Sequence, residues 1–260
     1  MKAEEHRHPD EGTFRTLSMI VGICGWIALL VCTFGIVLIG LLLAGLGLWI
    51  SGSILRMRLL GNAVRVGPKQ HPSIHAMATD LAEELGIPVP QVFLLSGSGM
   101  LDAFAVRLLG RREGCVLLLS ELVDLSLERN RPEELRAILA HELAHHALGH
   151  VAPWRTFLLL PARIVPFLGY AHDRACELSC DRVALALLGK LKPVQGAFLA
   201  LATGSRSLSD ETTVEAFLEQ DAEIRGLFGF LAVIYSTHPF LTRRVRELCA
   251  RAEELGLPQT

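Results

Sequence analysis

At 260 residues and a net charge of −2, the chain can hold one sizeable domain plus an anchor, and its near-neutral balance gives no argument for nucleic acid as a partner. The mean hydropathy of +0.40 is high for a soluble protein. Six scattered cysteines form no disulfide framework; they fit free thiols in a reducing compartment.

Residues 1–16 are polar and mixed in charge, and read as a mobile tail. Residues 17–50 then run without a charge, rich in Leu, Ile, Val and Gly, and a membrane or a very large core is needed to absorb them. The run far exceeds the roughly 7 to 15 apolar residues of a cleaved signal, so residues 17–55 are expected to stay attached as a transmembrane anchor. Its 34 or so residues would extend about 51 Å as one helix against a hydrocarbon core of about 30 Å. One long tilted helix or a hairpin of two short ones both fit, and Gly35, Gly40, Gly45 and Gly47 permit a turn or close packing. Residues 56–70 form a basic juxtamembrane linker. Its Arg56, Arg58, Arg65 and Lys69 exceed Lys2, Arg7 and Arg15 before the run, which places the following domain in the cytoplasm by the positive-inside rule.

Residues 71–260 read as one globular domain. An amphipathic helix over 71–86 ends at Gly86, ahead of Pro88 and Pro90. Short strands are predicted at 91–95, 103–108 and 114–119, the last two joined by a turn through 110–113 and the third a candidate sheet edge for an extended peptide. Helices follow at 121–127, 132–149, 171–188, 193–203, 210–226 and 239–255. Residues 157–169, broken by Pro161, Arg163 and Pro166, are too short for a span of about 20 residues; they are expected to touch the membrane surface or roof a cleft. The expected class is α+β, mainly α, with a small antiparallel sheet and an apolar N-terminal helix or helical hairpin.

The most informative residues are His141-Glu142-Leu143-Ala144-His145. A helix here is supported by Leu135, Ile138, Leu139, Leu143, Ala144 and Leu148 at helical period, by Pro132 in the first turn, and by Glu133 and Glu134 where the helix dipole favours negative charge. His141 and His145 then lie about 40° apart around the axis and can hold a zinc ion, with Glu142 available as general base to a water activated by the metal. His146 and His150 fall off that face and read as polar or helix-end residues. A catalytic zinc takes three protein ligands, and the downstream candidates are His172, Asp173, Glu177, Asp181 and His238. Glu177 and Asp181, four apart in one helix, share a face, so that one carboxylate can bind metal while the other orients a ligand histidine. Cys176 and Cys180 flank Glu177 and read as small packing residues.

Together these features resemble the membrane zinc metallopeptidases of the HtpX and CAAX-prenyl-protease type, gluzincins of peptidase family M48, whose pattern is His-Glu-x-x-His followed by a helix carrying Glu-x-x-x-Asp. The resemblance runs over residues 70–248. Asp102-Ala103-Phe104 stands where the family has Asn-Ala-Phe, and residues 116–125 match the strand and short helix that follow. Pro132-Glu133-Glu134-Leu135 opens the zinc helix, and Thr237-His238-Pro239, with Arg244 six residues after the histidine, matches a late His-Pro and Arg motif. The resemblance implies one zinc per chain on His141, His145 and Glu177, Glu142 as the base, and Asp181 as the carboxylate behind a ligand. It further implies His238 as a donor to the tetrahedral oxyanion, Arg244 fixing that segment, and Asp102 and Phe104 in structural or substrate-side positions, Asp102 departing from the usual Asn. The implied activity is that of a membrane-anchored metalloendopeptidase in protein quality control, with peptide or protein substrates that include misfolded membrane proteins, working at the cytoplasmic face of a bacterial inner membrane. A catalytically silent zinc scaffold or chaperone-like adaptor is the alternative, and such a protein has no need of Glu142.

Overall fold

The computed structural model describes residues 1–97, 103–106, 114–128, 131–165, 167–224, 226–234 and 236–258; Asp102 lies outside them, and Phe104 is described by its backbone alone. Two long apolar helices come first, α1 (Pro9–Cys32) and α2 (Val37–Asn62). Pro9 opens α1 in the first turn, where a missing N–H does no harm, and the His8 side chain accepts from the Asp10 N–H. Between the helices Phe34 (φ 48°) and Gly35 (φ 82°) adopt left-handed conformations that reverse the chain. The apolar run is thus a helical hairpin rather than one tilted helix, and each arm is long and apolar enough to cross a membrane.

The flanks differ from their sequence reading. Residues 1–16 are not a free tail: Ala3–His6 form a 3-10 helix, the Met1 amino group donates to the Glu84 carbonyl at 2.6 Å, and the His8 N–H donates to Ser179 Oγ at 3.0 Å. The basic stretch after the anchor is no linker either, since α2 continues through Arg56 and Arg58 and runs into strand β1 (Val64–Arg65).

The other strands are β2 (Gln91–Leu95), β3 (Ala103–Val106) and β4 (Cys115–Leu119), in the order β1-β2-β4-β3. The sheet is mixed, not antiparallel throughout: β1 with β2 and β3 with β4 are antiparallel, but β2 and β4 run parallel, Gln91 opposite Cys115 through Leu95 opposite Leu119. From β2 the chain passes first to the outer position and returns as β4 in the gap, and an antiparallel return from β3 makes β4 parallel to β2. Residues 114–119 therefore are not the edge. Val116 and Leu118 are fully buried, as befits an inner strand, and β3 is outermost on that side.

Helices α3 (Pro72–Leu85), α4 (Ser120–Glu128), α5 (Pro132–Ala147), α6 (Pro153–Leu159), α7 (Leu168–Leu188), α8 (Leu191–Thr203), α9 (Arg206–Glu211), α10 (Val214–Glu219), α11 (Leu227–Ile234) and α12 (Leu241–Glu254) complete the domain. The helix expected over 210–226 is broken at Thr212, whose extended backbone separates α9 from α10. α5 is the hub, packed by α3, α4, α7, α8 and β3, with Leu135, Leu139, Leu143, Ala140 and Ala144 fully buried. Each such leucine contributes about 1.5–3 kcal/mol of burial, which anchors the helix that carries the histidines.

Candidate metal centre

His141 and His145 lie one turn apart on α5; Glu177 and Asp181 lie one turn apart on α7, which packs against it. The imidazoles meet the Glu177 carboxylate, His141 Nε2 at 3.5 Å from Oε2 and His145 Nε2 at 3.4 Å from Oε1. Two imidazoles and one carboxylate meeting within 3.5 Å are a donor set that zinc takes. Glu142 is buried beside them and lines the same cavity of about 390 Å³.

The outer partners decide which nitrogens face the centre. His141 Nδ1 donates to Asp181 Oδ1 at 2.8 Å, which leaves Nε2 for the Glu177 side. Asp181 also accepts from Arg244 twice, Nε at 2.8 Å and Nη2 at 2.6 Å, and the guanidinium lies 4.5 Å from the centre of the Phe198 ring. His145 Nδ1 lies 3.1 Å from His150 Nδ1, and His150 Nε2 lies 3.1 Å from Glu11 Oε1. A carboxylate accepts, so His150 carries its proton on Nε2, its Nδ1 accepts from His145 Nδ1–H, and His145 Nε2 faces Glu177.

Charge at the centre follows from burial opposed by partners. Burial disfavours ionised Glu177 and Asp181, yet hydrogen bonds from His141, His145 and His238 hold Glu177 well below the usual carboxylate range, and Arg244 with His141 lowers Asp181. Burial disfavours the His141 imidazolium too, but the bonds to Asp181 and Glu177 outweigh it and raise His141 to about 10. Two buried carboxylates thus attract positive charge to this point. Burial instead lowers His150 to about 4 and, with the Arg155 charge, His172 to about 3, so both are neutral donors and acceptors at pH 7.

Of the sequence candidates, His238 joins the group with Nδ1 at 3.2 Å from Glu177 Oε2, on a mostly exposed side chain, and Arg244 Nη1 lies 3.4 Å from the same oxygen. His172 does not join it; its Nε2 faces Arg155 Nη2 at 3.0 Å. Asp173 is paired with Arg163 at 3.2 Å. Cys180 also comes close, its Sγ within 4.8 Å of ligand atoms of His141 and His145, and burial raises its thiol well above the usual range.

Sequence reasoning missed Glu11 and reduced His150 to a helix-end residue. Glu11, fully buried on α1, accepts from His150, from Arg155 Nη2 at 3.4 Å, and from Arg7 and Ser179. Glu11, His150 and Cys176 are close enough to hold a cation, but the two arginines already neutralise this carboxylate, and the cluster is an ion-pair hub.

The family model described as Peptidase family M48 matches residues 68–252, which include α5, α7 and the His238 to Arg244 segment. The chain belongs to peptidase family M48. Among relatives in that family, it is 32% identical over 181 residues to the plastoglobule-localized metallopeptidase 48 of Arabidopsis thaliana, covering 64% of this chain and 51% of that protein. It is 35% identical over 236 residues to a protease HtpX homolog of Persephonella marina, covering 72% of this chain and 77% of the relative. The chain thus spans about half the length of the Arabidopsis M48 protein. Against the crystal structure of S. mikatae Ste24p the alignment covers 90% of this chain and 67% of the other at 14% identity, with a TM-score of 0.36, too low to carry a structural argument.

Proposed function

We propose that the chain is a membrane-anchored zinc metalloendopeptidase, with His141, His145 and Glu177 as ligands. The observation that carries this reading is the approach of both Nε2 atoms to one carboxylate, within 3.5 Å, in a cleft that also holds Glu142. When bound, zinc supplies Lewis-acid polarisation of the attacking water and the scissile carbonyl. Glu142 takes the proton of that water during attack and delivers a proton to the leaving amine, so no covalent enzyme intermediate is needed. His238 donates a hydrogen bond to the developing oxyanion, Asp181 and Arg244 hold His141, and His150 with Glu11 holds His145.

Substrate binding follows from the sheet. Ala103 and Ala105 of outermost strand β3 line the cavity, and their small side chains leave room for an extended peptide along that strand with a main-chain carbonyl over the centre. The substrates in this reading are peptide segments of proteins, damaged membrane proteins among them, cut on the cytoplasmic side of a bacterial inner membrane. The detergent-purified protein should digest casein, lose that activity on dialysis against a chelator, and recover it with about one equivalent of zinc per chain. Undiminished digestion after complete metal removal would contradict the proposal.

A further inference from the structure

We propose that α6 with the turn behind it, residues 153–165, and the neighbouring α11 form a lipid-inserted collar, which enters the acyl layer beside α1 without crossing it and brings the metal cleft to bilayer level. The proposal rests on α1 and α2 crossing a bilayer and not on the identity of the catalytic residues.

Depth comes from the packing of this segment on α1. A Cβ on Gly22 would lie 2.3 Å from the Leu158 carbonyl oxygen, and one on Gly25 would lie 2.7 Å from Pro161 Cβ, so the two glycines let the Leu158 backbone and the Pro161 ring close on α1. Trp26 stacks on Phe157, with ring centres 4.6 Å apart, and its Nε1–H donates to the Phe157 carbonyl at 3.2 Å. Trp26 lies nine residues beyond Leu17, where the uncharged run begins. At 1.5 Å per residue that is roughly 13–14 Å, close to half of a core of about 30 Å. The segment therefore accompanies α1 well below the bilayer surface.

Its polarity is inverted relative to a water-facing hairpin. Both charges are partnered: Arg155 is buried against Glu11 and His172, and Arg163, half exposed, pairs with Asp173 on the cleft wall. The apolar side chains turn outward, Ile164 at 82% exposure, with Trp154, Phe157 and Leu160 also exposed. Phe167 carries this surface to α11 through Phe230, ring centres 6.5 Å apart, and Phe228 on α11 is 84% exposed. An apolar surface of this kind is a liability in water, whereas partnered charges and outward apolar groups suit lipid. Continuity with the exposed Ile20, Ile23 and Ile27 of α1 selects acyl chains as the occupant. Helical and 3-10 bonding, including Ile164 N–H to the Pro161 carbonyl at 3.1 Å, satisfies much of the backbone, as a segment at that depth requires. Ser18, Thr156 and Leu159 line the metal cavity, which links the collar to the centre.

Fluorescence of single-tryptophan chains in phosphatidylcholine vesicles tests this. Trp26→Phe with Trp49→Phe leaves Trp154; Trp26→Phe with Trp154→Phe leaves Trp49 in α2; a chain lacking all three receives Ile164→Trp or, on the exposed face of α9, Leu208→Trp. Bromines on the acyl chains should quench Trp154, Ile164→Trp and Trp49 several-fold more than Leu208→Trp, and iodide in the buffer should show the reverse order. Trp154 and Ile164→Trp behaving like Leu208→Trp, with Trp49 still quenched by bromolipid, would overturn the collar and leave the spanning helices standing. Shielding of both sites from both quenchers would overturn it in favour of a protein or second copy on this surface. Trp49 open to iodide would remove the premise.

Discussion

His141 and His145 show how a metal-ready imidazole is built from its far side. Each turns its Nε2 toward Glu177 because its Nδ1 is committed, to Asp181 in one case and to His150 in the other. Glu177→Ala should therefore abolish measurable zinc retention, while Asp181→Ala and His150→Ala should each weaken zinc affinity by about 10 to 100-fold, measured by competition with a chromophoric chelator. His172→Ala should leave affinity unchanged; if it strips the metal and Glu177→Ala does not, the ligand set proposed for the centre is wrong. The four-residue spacings of His141 with His145 and of Glu177 with Asp181 were legible in the sequence, because a helix converts spacing directly into a shared face. His150 was not. Extrapolating the helix placed it on the opposite side from His141, but α5 stops at Ala147, and Gly149 (φ 71°) folds the chain so that the His150 N–H donates to the His145 carbonyl at 2.9 Å. Glu11 lies far away in sequence, and no local pattern reports such a partner.

At the scale of elements, the docking of α1 on the α6 segment depends on the missing side chain of Gly22. Gly22→Leu should lower the thermal midpoint of the purified protein, by overpacking worth about 1–3 kcal/mol, because the Leu158 backbone cannot yield as a flexible side chain can. Gly12→Ala on the same helix meets nothing within 4 Å and should be neutral or stabilising by up to about 1 kcal/mol. Equal losses from both substitutions would count against a specific contact. The longer helices of the domain, α3, α5, α7, α8 and α12, were readable from the sequence to within a few residues. The strand order was not, since the parallel β2 and β4 pair depends on where β3 goes rather than on any residue within those strands. α11 was also missed: it is a run of only eight residues, all apolar, too short for period to tell helix from strand.

For the whole molecule, the helical hairpin has a topological consequence. The N-terminal segment packs on α7, and the end of α2 enters the sheet, so both ends of the anchor meet the same domain. Reporters fused before Met1 and after Thr260 should then both behave as cytoplasmic in a bacterial host, in keeping with Arg56, Arg58 and Lys69 after the run. Opposite behaviour of the two reporters would contradict the hairpin, and export of both would reverse the orientation and turn the substrate reading toward extracytoplasmic proteins. An uncharged run announced a membrane anchor without its fold; the turn at Phe34 and Gly35, and the docking of residues 1–16, are tertiary facts.

The central claim is that metal binding and proton transfer belong to different residues of one centre, and Glu142→Gln separates them most directly. The purified variant should retain about one zinc per chain, because Glu142 is not a ligand, while its casein hydrolysis falls by about 100-fold or more. Hydrolysis near the unsubstituted rate would remove Glu142 from the base role, and loss of the zinc together with the activity would contradict the assignment of His141, His145 and Glu177 as the complete ligand set.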